Sequence, residues 1–193
     1  MNTIELLGTI IGLIYIWLEY RASIYLWIAG IIMPAVYLFV YYNAGLYADF
    51  GINIYYLVIA LYGWIAWKTG FSITRKQETK KELAISYMPR KEYYKAIVAY
   101  IIAQLFIAYI LINHTDSTVP WSDSFTTALS IVGMWMLARK YIEQWWVWIV
   151  VDIVSSGLYI YKELYFTAVL YLLYAIIAIF GYFKWKKMMQ YER

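Results

Sequence analysis

The chain has 193 residues, of which 64% are apolar, 21% aromatic and only 15% charged, with a formal net charge of +4. Soluble domains run at about 45–50% apolar and about 25% charged, so lipid is the better solvent for this surface. The lack of cysteine and the single histidine, His114, exclude disulfides, thiolate nucleophiles and the usual zinc or haem sites.

A membrane-crossing helix needs about 20 mostly apolar residues, and seven stretches approach that length. The first, 4–20 (IELLGTIIGLIYIWLEY), follows no basic n-region of a signal peptide. The second, 24–42, carries Pro34 at its middle, and the third, 48–67, carries Asn53, Tyr56, Ala60 and Trp64. A charged run, RKQETKKELAISYMPRKEYYK (75–95), then reads as a connector in preference to a short interfacial helix. The fourth and fifth stretches are 96–112 and 124–138. The sixth, 145–161, contains WIVVDIVSSGLY with Asp152 at its centre, and the seventh is 165–183. Barrel strands would alternate polar and apolar residues, and these runs do not.

Threading seven helices puts fifteen of the sixteen Lys and Arg on one side, with Lys162 alone on the other. Loop cations mark the cytoplasmic side. The expectation is a multi-pass membrane protein with its N-terminus outside and its C-terminus cytoplasmic. The same distribution accounts for the positive charge without a nucleic-acid partner.

Sliding the chain against itself by 118 positions reveals a repeat. Arg21 falls on Arg139, Trp27 on Trp145, Tyr41 on Tyr159, Tyr56 on Tyr174, Gly63 on Gly181 and Trp67-Lys68 on Trp185-Lys186. Chance gives such matches readily for Ile and Val but not for Trp, Gly and Arg. Three helices followed by one linking helix return the second copy in the same orientation. The expected fold is therefore all-α, with seven transmembrane helices in a 3+1+3 parallel-repeat arrangement of the SWEET-like kind. Residues 1–70 and 122–187 form the two repeats. Residues 71–95 are the cytoplasmic connector, 96–121 the linking helix and external loop, and 188–193 the tail.

Parallel-repeat transporters bind substrate near the midplane between the bundles. On the sixth stretch Trp148, Asp152, Ser155 and Tyr159 recur at spacings of three and four and so share a face. Tyr37 lies on the second stretch, Asn53, Tyr56 and Trp64 on the third, and Tyr171 and Tyr174 on the seventh. Together they describe an aromatic cavity with one carboxylate and one amide. Trp67 and Trp185 lie near helix ends and read as interfacial belt. A charge at a helix centre costs about 2.5–3.5 kcal/mol even on the milder insertion scale, so Asp152 marks a pathway by default. No Lys, Arg or His lies near the middle of any stretch. That leaves a protonated acid, a hydrogen-bonded structural acid or a carboxylate awaiting a cationic ligand.

LYADFGINIYYLVIALYGWIAW (46–67) and WWVWIVVDIVSSGLYIYKELYFTAVLYLLYAIIAIFGYFKWKK (145–187) resemble the PnuC family of vitamin transporters and its thiamine-carrying PnuT relatives. The LYAD…YGW pattern, the W-x-W-x-x-x-N-like helix and the closing G-x-x-x-W-K-K carry the likeness. The resemblance implies a homotrimeric carrier of the cytoplasmic membrane working by facilitated diffusion, with a cytoplasmic vitamin kinase trapping the product. Nicotinamide riboside carriers of the family are expected to hold amides where this chain has Ala60 and Asp152, and a glutamine at the place of Asn53. An ionised carboxylate only accepts hydrogen bonds, so thiamine is the preferred substrate, nicotinamide riboside the second, and proton symport through Asp152 a further alternative. No enzyme is expected. G-x-x-x-x-G-K-[ST], H-E-x-x-H and G-x-S-x-G are all missing, and Ser155-Ser156 has no base beside it.

Overall fold

The computed structural model describes residues 3–44, 47–70 and 82–191, with side chains for 9–39, 42, 50–70 and 82–191. Seven helices span these residues: α1 (Thr3–Tyr20), α2 (Leu26–Ala44), α3 (Tyr47–Thr69), α4 (Arg90–His114), α5 (Pro120–Ala138), α6 (Gln144–Tyr161) and α7 (Tyr165–Tyr191). Each contains most of an expected stretch. Residues 71–81 of the connector and the side chains of Tyr41 and of Tyr47–Asp49 lie outside what is described.

In lipid every backbone group must be satisfied within the segment, which makes helices the default for such runs. Phe50–Thr69, Arg90–His114 and Tyr165–Tyr191 are long and apolar enough to cross a membrane by length and composition. Their outward faces carry Ile102, Leu105, Phe106, Val169, Phe180 and Phe183, all more than half exposed apart from the membrane that covers them.

The helices pack pairwise as α2 on α3, α6 on α7, α1 on α2, α5 on α6, α1 on α7 and α5 on α3, with α4 lying on α5. Exchanging α1 with α5, α2 with α6 and α3 with α7 maps these contacts onto themselves, leaving α4 aside. Local geometry follows the same exchange. α1 and α5 both end in a left-handed residue, Ala22 and Lys140, each at φ 50°. In both, a bond closes back over the end, Ser23 N to Leu18 O at 2.9 Å and Tyr141 N to Met136 O at 3.0 Å. This is the six-to-one closure of a Schellman cap, built here without glycine.

The interior is densest at the end that carries the basic residues. Trp27 and Trp67 meet edge to face at 5.5 Å, Trp145 and Trp185 do the same at 5.5 Å, and Trp67 joins Trp185 at 6.2 Å. All four indoles are buried. Two glycines make the room. A Cβ on Gly181 would lie 2.6 Å from Trp145 Cη2, and one on Gly63 would run into the Trp27 ring. The indole N–H of Trp67 donates to Leu137 O at 3.3 Å and that of Trp185 to Glu19 O at 3.0 Å. Each bond ties a helix of one half to a helix of the other. The belt expectation for Trp67 and Trp185 is therefore corrected: both are core, because the Trp27 and Trp145 rings pack on them edge to face and their indole N–H groups reach carbonyls of the other half.

Residues 82–89 form an extended strap across this end. Leu83 N donates to Trp67 O, Ser86 N to Lys140 O and Ile142 N to Ser86 O, at 3.0–3.3 Å. The Glu143 carboxylate receives Met88 N at 3.0 Å and Tyr93 OH at 3.0 Å. α4 starts at Arg90, inside the run that reads as connector.

Candidate functional site

A cavity of about 580 Å³ opens between α1, α2, α5, α6 and α7, with Tyr56 of α3 at its edge. One face of α6 forms a wall: Trp145, Trp148, Asp152, Ser155 and Tyr159 all reach it, as their spacing requires. The opposite walls come from Gly12, Tyr15 and Glu19 of α1 and from Gly30, Met33 and Pro34 of α2. Thr126, Thr127, Ser130 and Met134 of α5 and Tyr171 and Tyr174 of α7 complete it.

Asp152 is only 6% exposed. The ion pairs among the described residues are Lys95–Glu92 and Lys162–Asp123, both outside the cavity. Tyr171 and Tyr174 line the same cavity as Asp152. The rings around it are stacked on one another, Tyr159 on Tyr171 at 5.0 Å and 39°, and Tyr171 against Tyr174 at 5.7 Å. The Trp148 indole nitrogen and the fully buried Trp145 nitrogen have no hydrogen-bond partner. The α5 hydroxyls are turned to their own helix: Ser130 Oγ donates to Thr126 O at 2.8 Å and Thr127 Oγ1 to Asp123 O at 2.8 Å. Their lone pairs remain for a guest. The cavity thus offers a carboxylate acceptor, unmet indole donors and several ring faces.

Seven of the ten sequence-selected residues are brought together here: Asp152, Trp148, Ser155, Tyr159, Tyr56, Tyr171 and Tyr174. Three do not line the cavity. Tyr37 is exposed on α2, three residues past buried Pro34. Asn53 lies one turn before Tyr56, and Trp64 lies towards the basic end with Lys68 Nζ 5.0 Å over its ring. Among the described side chains, α3 reaches the cavity through Tyr56 alone, so a stripe drawn along it runs past the cavity.

The contributions of α1 and α5 were not foreseen. Glu19 is the chief omission: it is 4% exposed, lines the cavity and stands beside Gln144, which is fully buried. A signal existed, since the 118-residue offset sets Glu19 on Leu137 and Gln144 on Leu26. Polar residues that replace buried leucines in a repeat ask for an explanation.

The sequence profile of the nicotinamide mononucleotide transporter family matches residues 2–187. The chain belongs to that family. Among its relatives, the nicotinamide riboside transporter PnuC of Escherichia coli K12 is 23% identical over 96% of this chain and 85% of its own length. The riboflavin/roseoflavin transporter RibM of Streptomyces davaonensis is 27% identical over 94% of this chain and 83% of its own. A crystal structure of the vitamin B3 transporter PnuC superposes with a TM-score of 0.69 at 21% identity, covering 96% of this chain and 81% of that one. The fold is thus the PnuC fold. The protein is a multi-pass membrane transporter and not an enzyme.

Proposed function

We propose that the transporter carries a heterocyclic, cationic water-soluble vitamin into the cell, with nicotinamide riboside as the leading substrate. The observation that carries this is Asp152, a buried acid without an ion-pair partner among the described residues, set among stacked tyrosines beside an unmet Trp148 N–H. A flat cation over these rings gains roughly 0.5–2 kcal/mol from the ring faces. A carboxamide has both a donor and an acceptor, and the pairing of Asp152 with Trp148 supplies one of each. This reverses the preference for thiamine drawn from the carboxylate alone: the acid is not the only polar group at its level. The names of the curated relatives, nicotinamide riboside and riboflavin transporters, lean the same way. Thiamine stays as a second reading because two carboxylates, Asp152 and Glu19, face one cavity, which suits a fixed cation bearing an amine.

In this reading the two three-helix bundles form a 3+1+3 parallel repeat and rock about the cavity, alternately exposing it. The exchange symmetry of the helix contacts and the matched tryptophan ties support it. The basic end faces the cytoplasm, as the loop cations favour, and the protein works in the inner membrane as a homotrimer. Transport is facilitated diffusion, with a cytoplasmic kinase retaining the product.

The test is a thermal-shift panel on detergent-purified protein with nicotinamide riboside, thiamine and riboflavin. Stabilisation by nicotinamide riboside alone is expected. A shift with thiamine alone selects the second reading, and no shift with any vitamin removes both. Uptake into proteoliposomes that overshoots under an imposed pH gradient, and loses the overshoot in Asp152→Asn, would replace facilitated diffusion by proton symport.

A further inference from the structure

The duplicated frame isolates one place where the halves differ in kind. The tryptophan ties make positions 137 and 19 equivalent, since Trp67 binds the carbonyl of one and Trp185 that of the other. Positions 26 and 144 are likewise equivalent. At one joint, between α2 and α5, these are Leu26 and Leu137, both fully buried; at the other, between α6 and α1, they are Gln144 and Glu19, 0% and 4% exposed. Glu19 lines the cavity, with Tyr15 on its own helix, Gln144 from α6 and Asp152 across the space as the polar side chains that face it. The Gln144 amide stands against the Glu19 carboxylate and steadies it, yet neither Glu19 Oε1 nor either amide atom of Gln144 completes a hydrogen bond of good geometry. Buried polar atoms left unmet destabilise a fold, and leucines already pack the equivalent joint. Stability alone therefore gives no reason for the pair, whereas a guest with donors does.

We propose that Glu19, oriented by Gln144, is a second ligand-contacting carboxylate, receiving hydrogen bonds from a donor-bearing second ring of the solute whose cationic ring meets Asp152. The inference rests on the vitamin reading above and refines it. Gln144 and Asp152 are eight residues apart on α6, hence about 12 Å along its axis. One ring does not touch both stations, whereas two linked rings do. The substrate class is thus a heterocyclic cation joined to a second ring that carries hydroxyl or amino groups, such as a sugar or an aminopyrimidine.

The experiment is calorimetry on detergent-purified wild type, Glu19→Gln and the double variant Glu19→Leu/Gln144→Leu, with nicotinamide riboside and thiamine. The one-ring cation N-methylnicotinamide is measured by competition against whichever of these binds. The double variant copies the Leu137–Leu26 joint, so its unfolding midpoint should not fall. Expected is a loss of at least about tenfold for the two-ring vitamin, a smaller loss in Glu19→Gln, and less than about twofold change for the one-ring cation. Unchanged affinity for the two-ring vitamin overturns the proposal and leaves the vitamin reading standing. Equal losses for one-ring and two-ring ligands also overturn it, since they would signal a distorted cavity. A wild type that binds neither vitamin overturns the vitamin reading and this refinement together.

Discussion

The two ends of the tryptophan cluster are built alike and finished differently. Both halves pair a tryptophan of α2 or α6 with one of α3 or α7 over a glycine, and both close α1 or α5 on a left-handed residue. Where the first of these joints is sealed by Leu26 and Leu137, the second holds Gln144 and Glu19 and opens onto the cavity. A similar contrast lies deeper, where buried Pro34 of α2 answers Asp152 of α6. Duplication has kept the scaffold in both copies, while the buried acids, Glu19 of the first copy and Asp152 of the second, each answer an apolar mate, Leu137 and Pro34. Binding chemistry in this fold is carried by what breaks the repeat, and packing by what obeys it.

The largest way to probe this contrast is to empty the scaffold. Trp27→Ala and Trp145→Ala should each cost about 3–5 kcal/mol, the usual range for deleting a buried aromatic. Thermal unfolding in detergent should give the two variants similar midpoints; a large inequality would break the structural equivalence of the halves. Next in size is the converse exchange, Leu26→Gln with Leu137→Glu, which buries polar groups away from the cavity described above. It should destabilise by about 1–3 kcal/mol, seen as a lower midpoint, since Leu26 and Leu137 do not line that cavity. Smaller again is Trp67→Phe, which keeps a ring and loses one indole bond to Leu137 O, worth about 1 kcal/mol. Hydrogen exchange should then quicken at the end of α5. Least is Lys162→Ala at the opposite end. Its partly exposed pair with Asp123 is worth at most about 0.2–1 kcal/mol, and less after screening by solvent. Its midpoint should hardly move, which calibrates the others.

Much of this was legible in the amino-acid order. Apolar run lengths located all seven helices, because lipid leaves a spanning segment little choice but to satisfy its own backbone. The three-and-four spacing on α6 put Trp148, Asp152, Ser155 and Tyr159 on one wall, because that helix is regular across them. Other features depended on where helices approach, which spacing within one helix does not contain. Trp67 and Trp185 sit near helix ends, and distance from an end suggested the interface. Only the packing shows Trp27 and Trp145, seated against glycines 63 and 181, covering them. Tyr37 and Trp64 followed a stripe past the limits of the cavity. Glu19, one residue before the end of α1, was not singled out, and its equivalence to a buried leucine is what marks it as an interior group.

The most direct measurement is calorimetric titration of nicotinamide riboside into wild type and Asp152→Asn, a change that removes the charge and almost no volume. If the unpaired acid receives the cationic ring, the variant binds about 1.5–3 kcal/mol more weakly, as expected for losing a charge-assisted contact. Equal affinity in the two proteins would show that Asp152 does not meet the ligand, and the cavity would lose its claim to be the binding site.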